Sequence, residues 1–254
     1  MFAIYPSLEN KVVFITGGTS GIGADFVLEF AKQGAKVAFI GRNQMHGEEL
    51  CERVEEITDQ RPLYIQGDLS KLDDIHQAIY TTVNHFKRID VLINNAANDV
   101  RHHALEVTEE MWNDLMAINL KHQFFTAQAV LPFMMKNKSG SIINMSSNSV
   151  WLAELPSYPL YTTAKAAIIG LTRSLAREFG VYNIRVNCIE PGWIFTAKQI
   201  EKWVTPEGEA QAIREQSLKH RLYPEDVSRL ALFLAADDSK MITKQIFVVD
   251  GGRI

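Results

Sequence analysis

Tyr161 and Lys165 stand four residues apart in Tyr161-Thr162-Thr163-Ala164-Lys165, and Ser146-Ser147 lies upstream at the end of an apolar run. On a helix, residues i and i+4 share a face, so the phenol and the ammonium would be neighbours. A phenol ordinarily titrates near ~10, and a nearby cation favours its ionised form. Such a tyrosine can take or give a proton near neutrality, as carbinol oxidation or carbonyl reduction requires. A hydroxyl at Ser147 could hold the reacting oxygen meanwhile. By itself the Tyr-x-x-x-Lys spacing is weak; its meaning depends on what surrounds it.

A second chemistry-bearing segment is Thr16-Gly17-Gly18-Thr19-Ser20-Gly21-Ile22-Gly23, which follows the β-branched run Val12–Ile15. Glycine lets the backbone turn sharply and approach a pyrophosphate, whose charge then sits at a helix N-terminus. Gly17, Ser20, Gly21, Ile22 and Gly23 are therefore candidate dinucleotide contacts, with Lys165 available to the nicotinamide ribose. An acidic residue near the end of the second strand usually holds the adenosine ribose. Here that strand ends Phe39-Ile40-Gly41-Arg42-Asn43, without a carboxylate. Gly41 leaves space and Arg42 offers a fork for a 2′-phosphate, which favours NADP and leaves NAD as the second choice. A solvated Arg42 is the competing reading. Asp68-Leu69 could accept from the adenine amino group, or Asp68 could simply be a loop residue.

The elements that must position these groups alternate regularly. Strand candidates are Val12–Ile15, Val37–Ile40, Leu63–Gln66, Val91–Ile93, Ser141–Met145, Arg185–Ile189 and Ile246–Val249. Most are continuous apolar runs, as expected of strands covered on both faces. Between them Gly21–Gln33, Glu48–Thr58, Asp73–His85, Glu109–Met134 and Thr162–Phe179 carry helical spacing. Seven strands alternating with helices predict an α/β fold: a single-domain, doubly wound, seven-stranded parallel sheet of the Rossmann type over residues 1–254. The polar segment Thr196–Leu222 breaks the rhythm and predicts a small helical lid.

Composition narrows the classes further. The 254 residues are 46% hydrophobic and 22% charged, with a formal net charge of -4. That balance argues against a nucleic-acid binder, and no apolar run has the length of a membrane span. Cys51 and Cys188 cannot make a disulfide framework and suggest a reducing, cytoplasmic setting. Met1–Lys11 does not read as a signal peptide. His102 and His103 are adjacent, so their side chains diverge, and no ligand set has zinc spacing; no metal is expected. The charges of Glu48–Glu56 read as a solvated helix face.

Taken together, Thr16–Gly23, Asp68, Asn94-Asn95-Ala96-Ala97, Asn119, Ser147, Tyr161/Lys165 and Pro191-Gly192-Trp193-Ile194-x-Thr196 resemble the short-chain dehydrogenase/reductase family across essentially the whole chain. The resemblance implies a catalytic tetrad: Tyr161 as acid/base, Ser147 on the substrate oxygen, Lys165 lowering the tyrosine pKa and binding ribose, and Asn119 anchoring a water chain. It also implies that Asn95 and Ala96 line the cofactor and that Pro191, Gly192, Ile194 and Thr196 contact its nicotinamide half. Ala97 departs from the family's usual glycine.

A narrower resemblance, to bacterial sugar dehydrogenases of the D-xylose 1-dehydrogenase type, lies in Ala3–Leu8, Asn94–Asp99 with Arg101-His102, Glu201–Trp203 and Thr205–Gln211. It implies oxidation of an aldose at C1 to the lactone. Such relatives often carry an acidic residue where Gly41 stands, so this chain departs from them there. Asn98, Asp99, Ser149, Trp151, Tyr158, Trp193 and Trp203 are candidate sugar contacts, since hydroxyls need polar partners and C–H faces pack on rings. Each is equally consistent with a structural role. The alternatives are a sugar-acid 4-dehydrogenase, a 3-oxoacyl or other keto reductase of the same family, or a non-catalytic NADP-sensing protein. The resemblance further implies a homotetramer, with Glu109–Met134, Thr162–Phe179 and Val248–Ile254 at its interfaces.

Overall fold

The computed structural model describes residues 3–152 and 158–254. Seven strands run β1 (Val12–Thr16), β2 (Lys36–Gly41), β3 (Leu63–Gln66), β4 (Val91–Asn94), β5 (Gly140–Met145), β6 (Ile184–Pro191) and β7 (Ile246–Val249). They form one all-parallel sheet in the order β3-β2-β1-β4-β5-β6-β7. Every residue of β1 and β4 is buried, as both-face coverage by helices demands. Two apolar clusters fill the two faces, one around Phe26, Phe30 and Phe39 and the other around Phe14, Ile40 and Met134. The order reverses between β1 and β4, so the crevice beyond the strand C-termini opens there.

The helices are α1 (Gly21–Lys32), α2 (Gln44–Thr58), α3 (Leu72–Phe86), α4 (Glu109–Met116), α5 (His122–Asn137), α6 (Pro159–Phe179), α7 (Ala197–Lys202), α8 (Pro206–Glu215) and α9 (Pro224–Ala235). All seven expected strands are present within a residue or two. Three helical expectations change. Glu109–Met134 is not one α-helix: a π segment, Ala117–Lys121, separates α4 from α5. Helix α6 begins at Pro159, whose fixed φ suits a first helical position, so Tyr161 lies within the first turn. Helix α9 was not anticipated, although Pro224 with Glu225 and Asp226 is a helix-start signal.

The segment expected as a lid holds α7 and α8. Its two ends meet, because Ile194 bridges Leu222 and Phe195 N–H donates to the Leu222 carbonyl at 2.8 Å. The excursion is thus closed at its base, as in a compact Ω-type loop.

Candidate active site

A crevice of about 1690 Å³ runs across the strand C-termini, from Arg42 and Asp68 at one end to Trp203 and Gln211 at the other. At the first end the wall is backbone. Gly17 and Gly21 take φ of 68° and 57°, where an L side chain would be strained. A Cβ on Gly17 would lie 2.9 Å from Ala96 Cα, and one on Gly23 would lie 2.1 Å from the Gly17 carbonyl oxygen. Asn95 clamps this turn: its Nδ2 donates to the carbonyls of Thr16 at 3.0 Å and Gly17 at 3.2 Å. Thr16 Oγ1 accepts the Asn95 and Ala96 amides in return. The result is a glycine cradle at the N-terminus of α1, which is the chemistry of a pyrophosphate site.

Next to the cradle, a Cβ on Gly41 would meet Thr19 Cγ2 at 2.5 Å. A side chain at position 41 would require Thr19 to move, so Gly41 and Thr19 fit each other. Arg42 is exposed at the crevice edge and makes no ion pair with any described residue. Asp68 faces the crevice with Oδ1 accepting from Ser70 N and Oγ. Although burial raises its carboxyl, those bonds together with Arg42 and Lys71 hold it below the ordinary value. The donor and acceptor set, the cradle and the free guanidinium fit a nicotinamide dinucleotide.

The chemistry-bearing residues gather where β5 meets α6. Ser147, just beyond β5, stands beside Tyr161 in the crevice wall, close enough to ease its phenol down. Lys165 is fully buried, donates from Nζ to the Met145 carbonyl at 2.7 Å, and sits 5.4 Å from the centre of the Tyr161 ring. Burial pushes its ammonium down to about 8. The expected lowering of the Tyr161 pKa is not what the protein groups produce. Burial dominates and pushes the phenol up, Asp99 and Tyr158 add to this, and Ser147 and Arg101 oppose it. With these groups alone the phenol is held protonated.

Asn119 lies in the π segment, a geometry common at functional sites. Its side chain does not face the crevice. Oδ1 accepts the Asn98 amide at 2.8 Å and Nδ2 donates to the Asn98 carbonyl at 2.9 Å, so it pins the loop after β4. One turn on, His122 is wholly buried, and neither ring nitrogen has a partner in the described residues by strict geometry. Burial first, then Lys165, pushes it down to about 3.

Of the substrate candidates, Asn98, Asp99, Tyr158, Trp193 and Trp203 line the crevice; Ser149 and Trp151 do not. Ser149 is buried with its backbone N–H on Ser147 Oγ. Trp151 is 60% exposed and its Nε1 donates to Glu190 at 2.8 Å, which makes it a surface partner of β6. Asp99 receives Lys198 at 2.9 Å and Gln199 at 2.7 Å, and Gln199 in turn accepts from Trp193 Nε1. These bonds fasten α7 to the β4 loop. Of the cofactor candidates, Gly17, Ser20, Ile22, Gly23, Arg42, Asp68, Leu69, Asn95, Ala96, Pro191, Gly192, Ile194 and Thr196 line it too; Gly21 does not, and shapes the turn against Thr196.

Sequence reasoning passed over Thr19, Arg101, Lys198 and Gln199 as lining residues. It also missed Asp250, which accepts the Gly252 and Arg253 amides on Oδ1 and Asn148 Nδ2 on Oδ2. His102 is buried: it bonds the Val100 carbonyl through Nδ1 and accepts the Leu160 amide on Nε2. Among the described residues no group of three His, Cys, Asp or Glu gathers as metal ligands would, and no helix is long and apolar enough to cross a membrane.

Comparison with known proteins agrees with this geometry. A family model described as "Enoyl-(Acyl carrier protein) reductase" matches residues 17–253. The chain is 44% identical over 248 residues to "Probable galactose dehydrogenase GalD" of Rhizobium meliloti (strain 1021), covering 98% of this chain and 96% of that one. It is 45% identical over 252 residues to a D-xylose 1-dehydrogenase of Caulobacter vibrioides (strain NA1000 / CB15N), covering 98% of each. A solved 3-oxoacyl-(acyl-carrier protein) reductase of Brucella melitensis with bound NAD superposes with a TM-score of 0.89 at 30% identity, covering 99% of this chain and 94% of that one.

Proposed function

The chain belongs to the short-chain dehydrogenase/reductase family and is an oxidoreductase; from that premise we propose that it uses NADP in preference to NAD to oxidise an aldose of the D-xylose or D-galactose kind at C1, giving the lactone. The observation that carries this is the convergence of Ser147, Tyr161 and Lys165 at one end of a glycine-cradled crevice. Gly17, Ser20, Ile22 and Gly23 would hold the pyrophosphate, Arg42 the 2′-phosphate, and Pro191, Gly192, Ile194 and Thr196 the nicotinamide half. When bound, the oxidised nicotinamide supplies a hydride acceptor and a positive ring charge at this end.

Within that frame Ser147 holds the anomeric oxygen, and Tyr161 takes its proton as the hydride leaves C1. Burial holds the phenol protonated, which suits carbonyl reduction; oxidation needs the phenolate, and a cation beside the ring favours it. Lys165 is that cation in the protein and also meets the ribose. Asn119 acts by fixing Asn98, and with it the loop that carries Asp99. Helices α7 and α8 close over the sugar as a lid, and chains assemble as homotetramers through faces that include exposed Trp112 and Phe124.

The likeness to a 3-oxoacyl reductase favours carbonyl reduction as a second reading. Initial rates with D-xylose, D-galactose and sugar acids, each with NADP⁺ and NAD⁺, and with acetoacetyl-CoA and NADPH, decide between them. Aldose turnover with NADP⁺ preferred is expected. Turnover of the thioester alone would replace the sugar reading, and equal use of NAD⁺ would remove the NADP assignment.

A further inference from the structure

Arg101 stands at one end of the crevice and makes no ion pair with any described residue. Its Cζ lies 4.0 Å from the centre of the Tyr158 ring and 5.3 Å from that of Trp203. Aromatic rings take the faces of a guanidinium and leave its N–H edge for hydrogen bonds. Arg101 Nε and Trp203 Nε1 are buried with no hydrogen-bond partner among the described residues. The nearby carboxylate, Asp99, is already engaged by Lys198 and Gln199. The backbone beside Arg101 is fixed as well, since His102 ties the loop to the start of α6, the helix that carries Tyr161.

A planar fork, held on two rings and directed into a polar crevice, matches a planar pair of acceptors. We propose that Arg101 is a specificity-determining residue, donating to two adjacent substrate oxygens other than the one held by Ser147 and Tyr161. The proposal rests on the reading that an oxygen-rich substrate occupies this end. Two adjacent oxygens occur as the vicinal hydroxyls of an aldose or as the carboxylate of a sugar acid, and both have the acceptor geometry the fork requires. Lysine would not serve, because a compact ammonium neither stacks on the rings nor reaches two oxygens in parallel.

The test compares wild type, Arg101→Lys and Arg101→Met, each shown to melt cooperatively and to bind NADPH. Initial rates are measured with D-galactose, 2-deoxy-D-galactose and D-galacturonate, and binding of the same compounds to the NADPH-loaded protein is followed by Trp203 emission, with Trp203→Phe as the blank. In both variants KM for the preferred substrate is expected to rise about tenfold or more, the scale of one charge-assisted hydrogen bond, and by more than kcat falls; in Arg101→Lys, which keeps the cation that eases the Tyr161 phenol down, kcat stays nearer wild type than in Arg101→Met. The preference over the deoxy sugar should shrink in parallel if a diol is read. If a carboxylate is read, the loss falls on D-galacturonate. Unaltered KM and unaltered discrimination in a folded Arg101→Met protein overturn the proposal. A wild type that turns over no sugar defeats the functional reading instead; binding of a sugar or sugar acid that disappears in Arg101→Met would still uphold the role of Arg101, and absence of any binding would end it.

Discussion

At the dinucleotide end of the crevice backbone meets backbone: Gly17 lies against Ala96, and Gly23 against the Gly17 carbonyl. At the opposite end side chains meet side chains across long spans of sequence: Arg101 on Tyr158 and Trp203, Lys198 and Gln199 on Asp99. A wall made of main chain has no rotamers with which to absorb an added atom. A wall made of long side chains can repack, because each contact is one of several and the crevice beside it is open. The first should therefore fail abruptly and the second by degrees, and Tyr161 and Lys165 sit where the two meet.

The largest effect is expected at that junction. Tyr161→Phe should reduce kcat by about 10²–10⁴-fold, the usual contribution of a positioned acid or base, while NADPH still binds by fluorescence titration. Retained turnover would separate the chemistry from the junction altogether. At the backbone wall, Gly23→Ala places a methyl 2.1 Å from a carbonyl oxygen, so NADPH affinity should fall at least about tenfold. Normal affinity in that variant would break the contrast between the two walls.

Arg42→Ala sharpens the comparison, since it alters one side chain at the backbone end. It should lower NADP⁺ preference by about ten- to hundredfold while leaving NAD⁺ kinetics close to wild type, as loss of a hydrogen bond to a charged group would. Beneath both walls His122 sets an acid limit. Its folded pKa of about 3 lies below the ordinary 6.5, so between those values the unfolded chain binds the extra proton. Stability then falls as pH drops through that window, by about 1.4 kcal/mol per unit for one proton. His122→Asn should flatten the urea midpoint between pH 6 and 4 by that amount. The smallest effect belongs to Gly180, exposed just past α6 in right-handed helical backbone, where an added Cβ would have nothing within 4 Å. Gly180→Ala should raise stability by about 1 kcal/mol, seen as a higher melting temperature with unchanged kinetics.

The two walls were also unequally legible in the amino-acid sequence. Main-chain shape is written in short contiguous runs, so Thr16–Gly23 could be placed at the first strand-to-helix turn, and the strands could be read from their apolar continuity. The opposite end is assembled from residues up to 100 positions apart, such as Asp99 and Gln199, and no local pattern announces such a pair. Trp151 and Trp203 looked alike as aromatic candidates; only packing sends one to the surface, where it donates to the buried Glu190, and the other to the crevice. Asn119 was legible by the motif it belongs to, yet its grip on the Asn98 backbone depends on the π segment, which helical spacing does not reveal. The Tyr161 environment was read from its lysine alone, whereas burial outweighs that charge.

Asp250 carries this dependence on distant residues into the order of synthesis. Its carboxylate takes Asn148, next to Ser147, from 102 residues upstream, and it follows β7, the last strand in chain order. The glycine turn is made early, but α9, which packs on α1 and completes the apolar cluster around Phe26 and Phe30, comes late. The loop beside Ser147 gains its anchor only after residue 250 has been made and has left the exit tunnel. Both ends of the crevice therefore wait on the last stretch of the chain, and the two walls are completed together at the close of synthesis.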